Sequence, residues 1–301
     1  MTVLQIIRIP ILPFGMVNSH LILGAGGCIL VDAGLPGSES KIEKVLTKHR
    51  LTFRDITQKS VTCATHCRLH HRAPKLGMCR LNWRLLSKLI VVTHAHVDHA
   101  GSAALLRKLS GAPIAAHADD AKHFSGDTPM TFCPTGWFGR LFLKTPLMFE
   151  SYNGFEPDIL LSNDNTLDLS RYGIPGTVTQ QSPIKTTHSK FRRSMMETAV
   201  CRTSYRLLSK HTPGHTAGSI SIELSTKDAL VGDLIVSGIL IGGLVRTNHA
   251  IRPPFEDDPR TVGLALQRLL DSGMERFYMG HGGPLNAREV QRHALTLMAM
   301  E

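Results

Sequence analysis

The apolar positions of this chain fall into short runs that switch between a period of two and a period near 3.6. Residues 21–23 and 28–32 are apolar and are separated by Gly24-Ala25-Gly26-Gly27, which predicts a hairpin. Residues 1–13 are apolar, with no basic leader and no small-residue cleavage site, so they read as a strand and not as a signal peptide. A loop with Gly34, Pro36 and Gly37 leads to a helix over 40–48. Residues 89–92 predict a buried strand, 100–109 a helix stopped by Gly111, and 114–116 another strand. The stretch 118–153 is rich in aromatic residues, among them Phe132, Trp137, Phe138 and Phe142, and predicts helices beside the site. Residues 219–224 alternate as a strand, and 229–232 form a strand that ends at Asp233. Asp258-Pro259 caps a helix running to 270, since an Asp cap followed by proline suits the first helical turn. Residues 276–279 are a strand ending at Gly280-His281, and 286–298 are the last helix. Strands that alternate with helices and end in polar, glycine-flanked turns describe a layered α/β protein with its site at the strand ends.

Length and composition add bounds. The 301 residues, 42% of them hydrophobic, fit a single domain spanning 1–301 with a sizeable core. No apolar run approaches the ~20 residues of a membrane span, so no membrane association is expected. Six cysteines form no disulfide framework, which fits a reducing compartment and points to the cytoplasm.

The net charge of +10 invites a nucleic-acid reading, until its location is considered. Residues 57–88 align with 179–210 without a gap, and twelve of the 32 positions are identical. These two segments hold fourteen Lys/Arg and a single acid, Glu197. The remainder has twenty basic and twenty-three acidic residues, so it is mildly acidic. We expect two insertions of one repeated element, at 58–88 and 180–210, because long surface insertions cost little loop-closure entropy. Cys63, His66, Cys67, His70, His71 and Cys79 suggest a zinc knuckle. The second copy has Lys185 and Ser189 in place of Cys63 and Cys67, so a solvated basic loop is the favoured reading.

The densest chemistry lies in Thr93-His94-Ala95-His96-Val97-Asp98-His99. His94 and His96 are two apart, so in extended chain they point the same way. With Asp98 and His99 they are a donor set suited to zinc, iron or manganese. A packed core has no use for such a cluster, because every buried polar group needs a partner.

The run resembles the His-x-His-x-Asp-His motif of the metallo-β-lactamase superfamily. Further landmarks stand in that superfamily's order: Asp32 at a strand end, His215 in Thr212-Pro213-Gly214-His215-Thr216, Asp233 in Leu230-Val231-Gly232-Asp233, and His281 in Gly280-His281-Gly282-Gly283. The resemblance spans nearly the whole chain apart from the two basic segments. It implies a four-layer αβ/βα sandwich with a two-metal site at one edge. By that pattern His94, His96 and His215 hold the first ion, Asp98, His99 and His281 the second, and Asp233 bridges them. Asp32 orients ligands. Two divalent ions are expected, zinc first, with iron or manganese as alternatives. Two close ions acidify a bridging water, whose hydroxide attacks a carbonyl or phosphoryl centre, with Asp98 or Asp233 accepting a proton. His249, Ser237 and Tyr278 are candidates for a general acid only by residue type.

Asp233 bears on the substrate. The resemblance implies that β-lactam-cleaving members replace this carboxylate with cysteine or serine, so the chain looks like the glyoxalase II, lactonase and phosphodiesterase branches. Only about twenty residues follow His281, which leaves no recognisable glutathione-binding domain and counts against a standard glyoxalase II. A small-molecule ester, thioester or lactone is the expected substrate. The alternatives are a phosphodiesterase or nuclease using the basic segments, and a binding-only member impaired by the segment that enters just before His215.

Overall fold

The computed structural model describes residues 4–24, 27–53, 87–145, 151–162, 167, 207–239 and 242–300. The two basic segments lie almost wholly outside these residues, as does the cysteine–histidine group at 63–79. Only their last residues are described. Residues 87–88 open one strand and 207–210 begin another.

The first sheet has the order β1-β2-β3-β4-β5-β6. Its strands are β1 (Gln5–Pro10), β2 (Asn18–Gly24), β3 (Gly27–Val31), β4 (Ser87–Val91), β5 (Ile114–His117) and β6 (Ile159–Leu161). β1, β2 and β3 are antiparallel, which gives the expected hairpin, while β3 to β6 run parallel. The second sheet has the order β13-β12-β9-β8-β7. It is built from β7 (Leu207–His211), β8 (Ile220–Leu224), β9 (Asp228–Leu230), β12 (Arg276–Tyr278) and β13 (Leu285–Asn286). A small antiparallel pair, β10 (Val236–Ser237) and β11 (Ala250–Ile251), lies apart from both.

The layers follow from the period of two. On β3, Ile29 and Val31 belong to the apolar cluster between the sheets, and Cys28 and Leu30 to the cluster under the helices. On β4, Leu89 and Val91 face the opposite sheet, where Ile222, Leu224 and Leu230 meet them, while Ile90 and Val92 face the helices. Residues alternate across a strand, so a strand apolar on every position must be covered on both faces. Helices α1 (Glu39–Lys48) and α3 (Ala103–Ser110) cover the first sheet through Ile42, Leu46 and Leu106. Helices α6 (Pro259–Asp271) and α7 (Ala287–Met298) cover the second through Val262, Leu266, Val290 and Leu297. The result is the αβ/βα sandwich.

Local chemistry sets the helix ends. The Asp258 carboxylate accepts from the backbone N–H groups of Arg260 and Thr261, and Asn286 accepts from that of Glu289. Gly111 closes α3 with φ of +70°, a left-handed cap that glycine adopts without a Cβ clash. The predicted helix over 100–109 is two pieces, a short α2 (Val97–Ala100) and α3. The aromatic stretch after β5 gives α4 (Ala121–Phe124) and α5 (Gly136–Phe142). Among the described residues no helix is long and apolar enough to cross a membrane.

Candidate metal centre

The seven residues that the histidine run and the resemblance single out come together where the two sheets end. The turn after β4 carries His94 and His96, and the short α2 that follows it carries Asp98 and His99. The loop between β7 and β8 carries His215, the turn after β9 carries Asp233, and the turn after β12 carries His281.

Three ring nitrogens converge first. His94 Nε2 is 3.1 Å from His96 Nδ1, and His215 Nε2 is 3.2 and 3.1 Å from these two atoms. A hydrogen bond joins two atoms, so three imidazole nitrogens facing one point are not mutually satisfied by protons. They surround a point about 2 Å from each, which is an ordinary zinc–nitrogen distance. Burial, reinforced by the neighbouring imidazoles, pushes His94 well below the usual histidine range. Burial holds His96 down to about 4 and His215 to about 3, so all three rings are neutral at pH 7, the form that ligates.

The second group is built around carboxylates. His281 Nε2 lies 3.2 Å from Asp98 Oδ2 and 2.9 Å from Asp233 Oδ2. His99 Nε2 is 3.3 Å from Asp233 Oδ1 and 4.0 Å from Asp98 Oδ2. Asp233 also stands 3.9 Å from His215 Nε2, so this one carboxylate touches both groups. Burial opposes charge on these side chains, yet the carboxylates raise His99 and carry His281 up to about 10. In turn the two rings hold Asp98 and Asp233 below the usual carboxylate range against the same burial. Two buried atoms, His99 Nε2 and Asp233 Oδ1, are an ion pair at 3.3 Å that falls short of hydrogen-bond geometry. Buried polar atoms left this way call for an ion or another partner. Both donor groups, His94/His96/His215/Asp233 and Asp98/His99/His281, can hold metal ions.

Surrounding residues fix which nitrogen of each ring is available. The Asp32 carboxylate accepts the Thr93 backbone N–H at 2.8 Å and lies 2.9 Å from His99 Nδ1, which leaves His99 Nε2 toward the centre. The Thr93 hydroxyl donates to Asp32 at 2.9 Å, so toward His94 Nδ1, 3.1 Å away, it acts as acceptor. His94 Nδ1 therefore carries the proton, and Nε2 presents its lone pair to the cluster. His281 Nδ1 donates to the Met16 carbonyl, so Nε2 is the nitrogen that faces the centre. Asn18 Nδ2 donates to the carbonyls around this histidine, at 3.2 Å to Gly280 and 2.9 Å to Gly282.

Two glycines are required by close approach. A Cβ on Gly232, whose φ is +53°, would lie 2.8 Å from the Thr93 hydroxyl. A Cβ on Gly280 would collide with the His99 ring and with Asp233 Oδ1.

Asp32 was legible from its place at a strand end. Three supporting residues were not. Met16 and Asn18 lie in a turn and a strand with no motif of their own. Asp120 accepts from the Ala95 N–H at 3.1 Å, the Gly218 N–H at 2.8 Å and the Thr216 hydroxyl at 2.9 Å, which ties the His94–His99 turn to the His215 loop. Of the three general-acid candidates, Ser237 is bonded to Gly283, His249 pairs with Glu289 at 3.0 Å, and Tyr278 packs edge-on against His20. None of them lines the pocket described next.

A cavity of about 410 Å³ opens onto the centre. Its floor is His96, Asp98, His215, Asp233 and His281, and its polar wall groups include His123 and Tyr152. The Tyr152 hydroxyl lies 3.1 Å from the Ala95 carbonyl, and burial pushes it well above the ordinary tyrosine range, so it stays a neutral donor.

Comparison with known proteins agrees with this geometry. A family model described as the metallo-beta-lactamase superfamily matches residues 88–166, the stretch that includes the histidine run. No curated protein matches the chain. A metallo-beta-lactamase family protein from Thermus thermophilus superposes with a TM-score of 0.56 at 20% identity, covering 98% of this chain and 78% of that one. The BLEG-1 B3 metallo-beta-lactamase gives 0.55 at 16% identity, with 98% and 100% covered. A metallo-beta-lactamase superfamily protein from Sulfolobus tokodaii gives 0.53 at 15% identity, with 99% and 87% covered. At these identities the structures share the fold. The family model and these neighbours agree on the metallo-beta-lactamase fold.

Proposed function

We propose that this chain is a binuclear metal-dependent hydrolase acting on a small-molecule ester, thioester or lactone. The observation that carries the reading is Asp233, whose two oxygens face His99 and His281 while it also borders the triangle of His94, His96 and His215. In this reading His94, His96 and His215 hold one ion, Asp98, His99 and His281 the other, and Asp233 spans both. Zinc suits the nitrogen-rich first group. When bound, the ions supply an acidified water nucleophile and electrostatic stabilisation of the oxyanion that develops.

The chain's own groups do the rest. Asp98 is 23% exposed and lines the cavity, so it is placed to take a proton from an entering water, whereas Asp233 is 5% exposed and serves as the inner spacer. The water oxygen adds to the acyl carbon, the acyl C–O or C–S bond breaks, and the alcohol or thiol leaves with the proton that Asp98 took from the water. The cavity walls orient the acyl carbon over the donor cluster.

The described residues that lead into His215 form a regular strand. β7 pairs with β8 from Leu207↔Leu224 to His211↔Ile220, and the His215 ring sits within the triangle. This favours an active enzyme over a binding-only member. The test is turnover of aryl esters, thioesters, lactones and bis-p-nitrophenyl phosphate by metal-loaded protein, before and after chelation. Acyl substrates should be cleaved in a chelator-sensitive way. Cleavage of the phosphodiester alone would move the assignment to a phosphodiesterase, and no turnover of any member would defeat it.

A further inference from the structure

The wall of the cavity has a chemistry of its own. Beginning at the candidate ligand His96, ring contacts run outward without a break. His96 meets Phe132 at 5.1 Å, Phe132 meets Phe255 at 4.9 Å, and Phe255 meets Phe142 at 5.8 Å. All three phenylalanines line the cavity, together with Met130, Pro254, Leu12, Val17 and Leu35. Among the described residues no lysine or arginine lines it, and its only acids, Asp98 and Asp233, lie on the floor.

The rim continues the same character. Phe142 stacks on Phe138 at 5.8 Å, and Phe138 meets Trp137, which is 72% exposed. Phe14, 74% exposed, stands in the turn between the lining residues Leu12 and Val17.

These contacts decide between substrate classes. Away from a metal ion, phosphoryl groups and carboxylates are held by guanidinium, ammonium or convergent backbone N–H groups, and the wall beyond the donor cluster offers neither lysine nor arginine among the described residues. Here the donor cluster lies at one end and an aromatic wall extends from it. We infer that the substrate is an electrically neutral acyl compound with an unbranched or aromatic apolar acyl group, which lies along Phe132, Phe255 and Phe142 with its carbonyl at the His96 end. This inference rests on the hydrolase reading for its orientation, and on the wall alone for its apolar, neutral character. Aromatic rings contribute large apolar area at low entropic cost, so affinity should follow the length of the buried chain.

The test uses neutral ligands that cannot be hydrolysed. Binding of the methyl ketones butanone, hexanone, octanone and decanone to the metal-loaded protein is followed by titration calorimetry, and kcat/KM is measured for p-nitrophenyl acetate, butyrate and octanoate. Each pair of added methylenes should raise ketone affinity about tenfold until the wall is filled. Phe142 is half-buried, so Phe142→Ala spares the core. It should weaken decanone at least about fivefold and flatten the series. An affinity that does not rise with chain length overturns the inference, even if short esters are cleaved. A rising series in a protein that cleaves no ester upholds the apolar site and overturns the hydrolase reading instead.

Discussion

The Asp120 carboxylate holds the Thr216 hydroxyl at 2.9 Å, across 96 residues of chain, and with its remaining lone pairs it takes the backbone N–H groups of Ala95 and Gly218. One buried side chain thereby sets the distance between the turn bearing His94 and His96 and the loop bearing His215. The triangle of ring nitrogens depends on that distance.

Asp120→Ala leaves the Ala95 and Gly218 N–H groups unpaired in a buried place and leaves the Thr216 hydroxyl only Ser219, and each orphaned donor costs about 1–3 kcal/mol. Denaturant unfolding should show a loss of several kcal/mol, and turnover should fall at least about tenfold, as for partners that orient metal ligands. Stability within about 0.5 kcal/mol of the parent chain would show that the brace is idle.

Thr93→Val keeps the shape of the side chain and deletes the hydroxyl that joins Asp32 to His94 Nδ1. The proton of that ring is then no longer fixed on Nδ1. Metal affinity should drop about 10- to 100-fold, and Thr93→Ser should restore most of it. Equal loss in the valine and serine variants would place the effect in packing and not in the hydroxyl.

Gly280→Ala inserts a methyl between the His99 ring and Asp233. The backbone there does not demand glycine by its φ, so the effect is steric and local. Turnover should fall more than about a hundredfold while the melting temperature shifts by only a few degrees. Near-normal turnover would mean that His99 and Asp233 have no fixed relation.

A pH effect on stability is expected from Glu256, away from the centre. Its burial outweighs its ion pair with Arg252 and lifts the carboxyl to about 7, against an ordinary value of 4.5. Between pH 4.5 and 7 the unfolded chain releases this proton and the folded one keeps it, so stability falls as pH rises through that window. The contribution amounts to at most about 3 kcal/mol at pH 8. Glu256→Gln does not titrate, so its stability relative to the parent should climb from pH 4.5 to 7 and then level. A constant difference across that range would contradict the assignment.

What was legible in the sequence and what was not has a physical pattern. Strands β3 and β4 were visible because both their faces are apolar, and α6 because Asp258-Pro259 marks its start. His94, His96, Asp98 and His99 were visible because such a cluster is costly to bury without purpose, whereas His215, Asp233 and His281 were visible only through the resemblance. β7 was hidden because Leu-Leu-Ser-Lys also closes the other basic segment, so it read as part of an insertion. β10, β11 and β13 are two residues each and leave no periodic signal. Asp120 looks like any acid after a strand, and its role exists only once Ala95 and Gly218 are brought to it. The aromatic wall is assembled from residues over a hundred positions apart, so composition showed its parts and not their contact.

The central claim is that the seven donors hold metal, and elemental analysis addresses it directly. Purified chain, offered zinc, iron and manganese and then dialysed, is measured by plasma mass spectrometry beside Asp233→Ala. The account predicts about two divalent ions per chain in the parent and about one or fewer in the variant. A parent chain that retains no divalent ion, or a variant that retains as many as the parent, would contradict it.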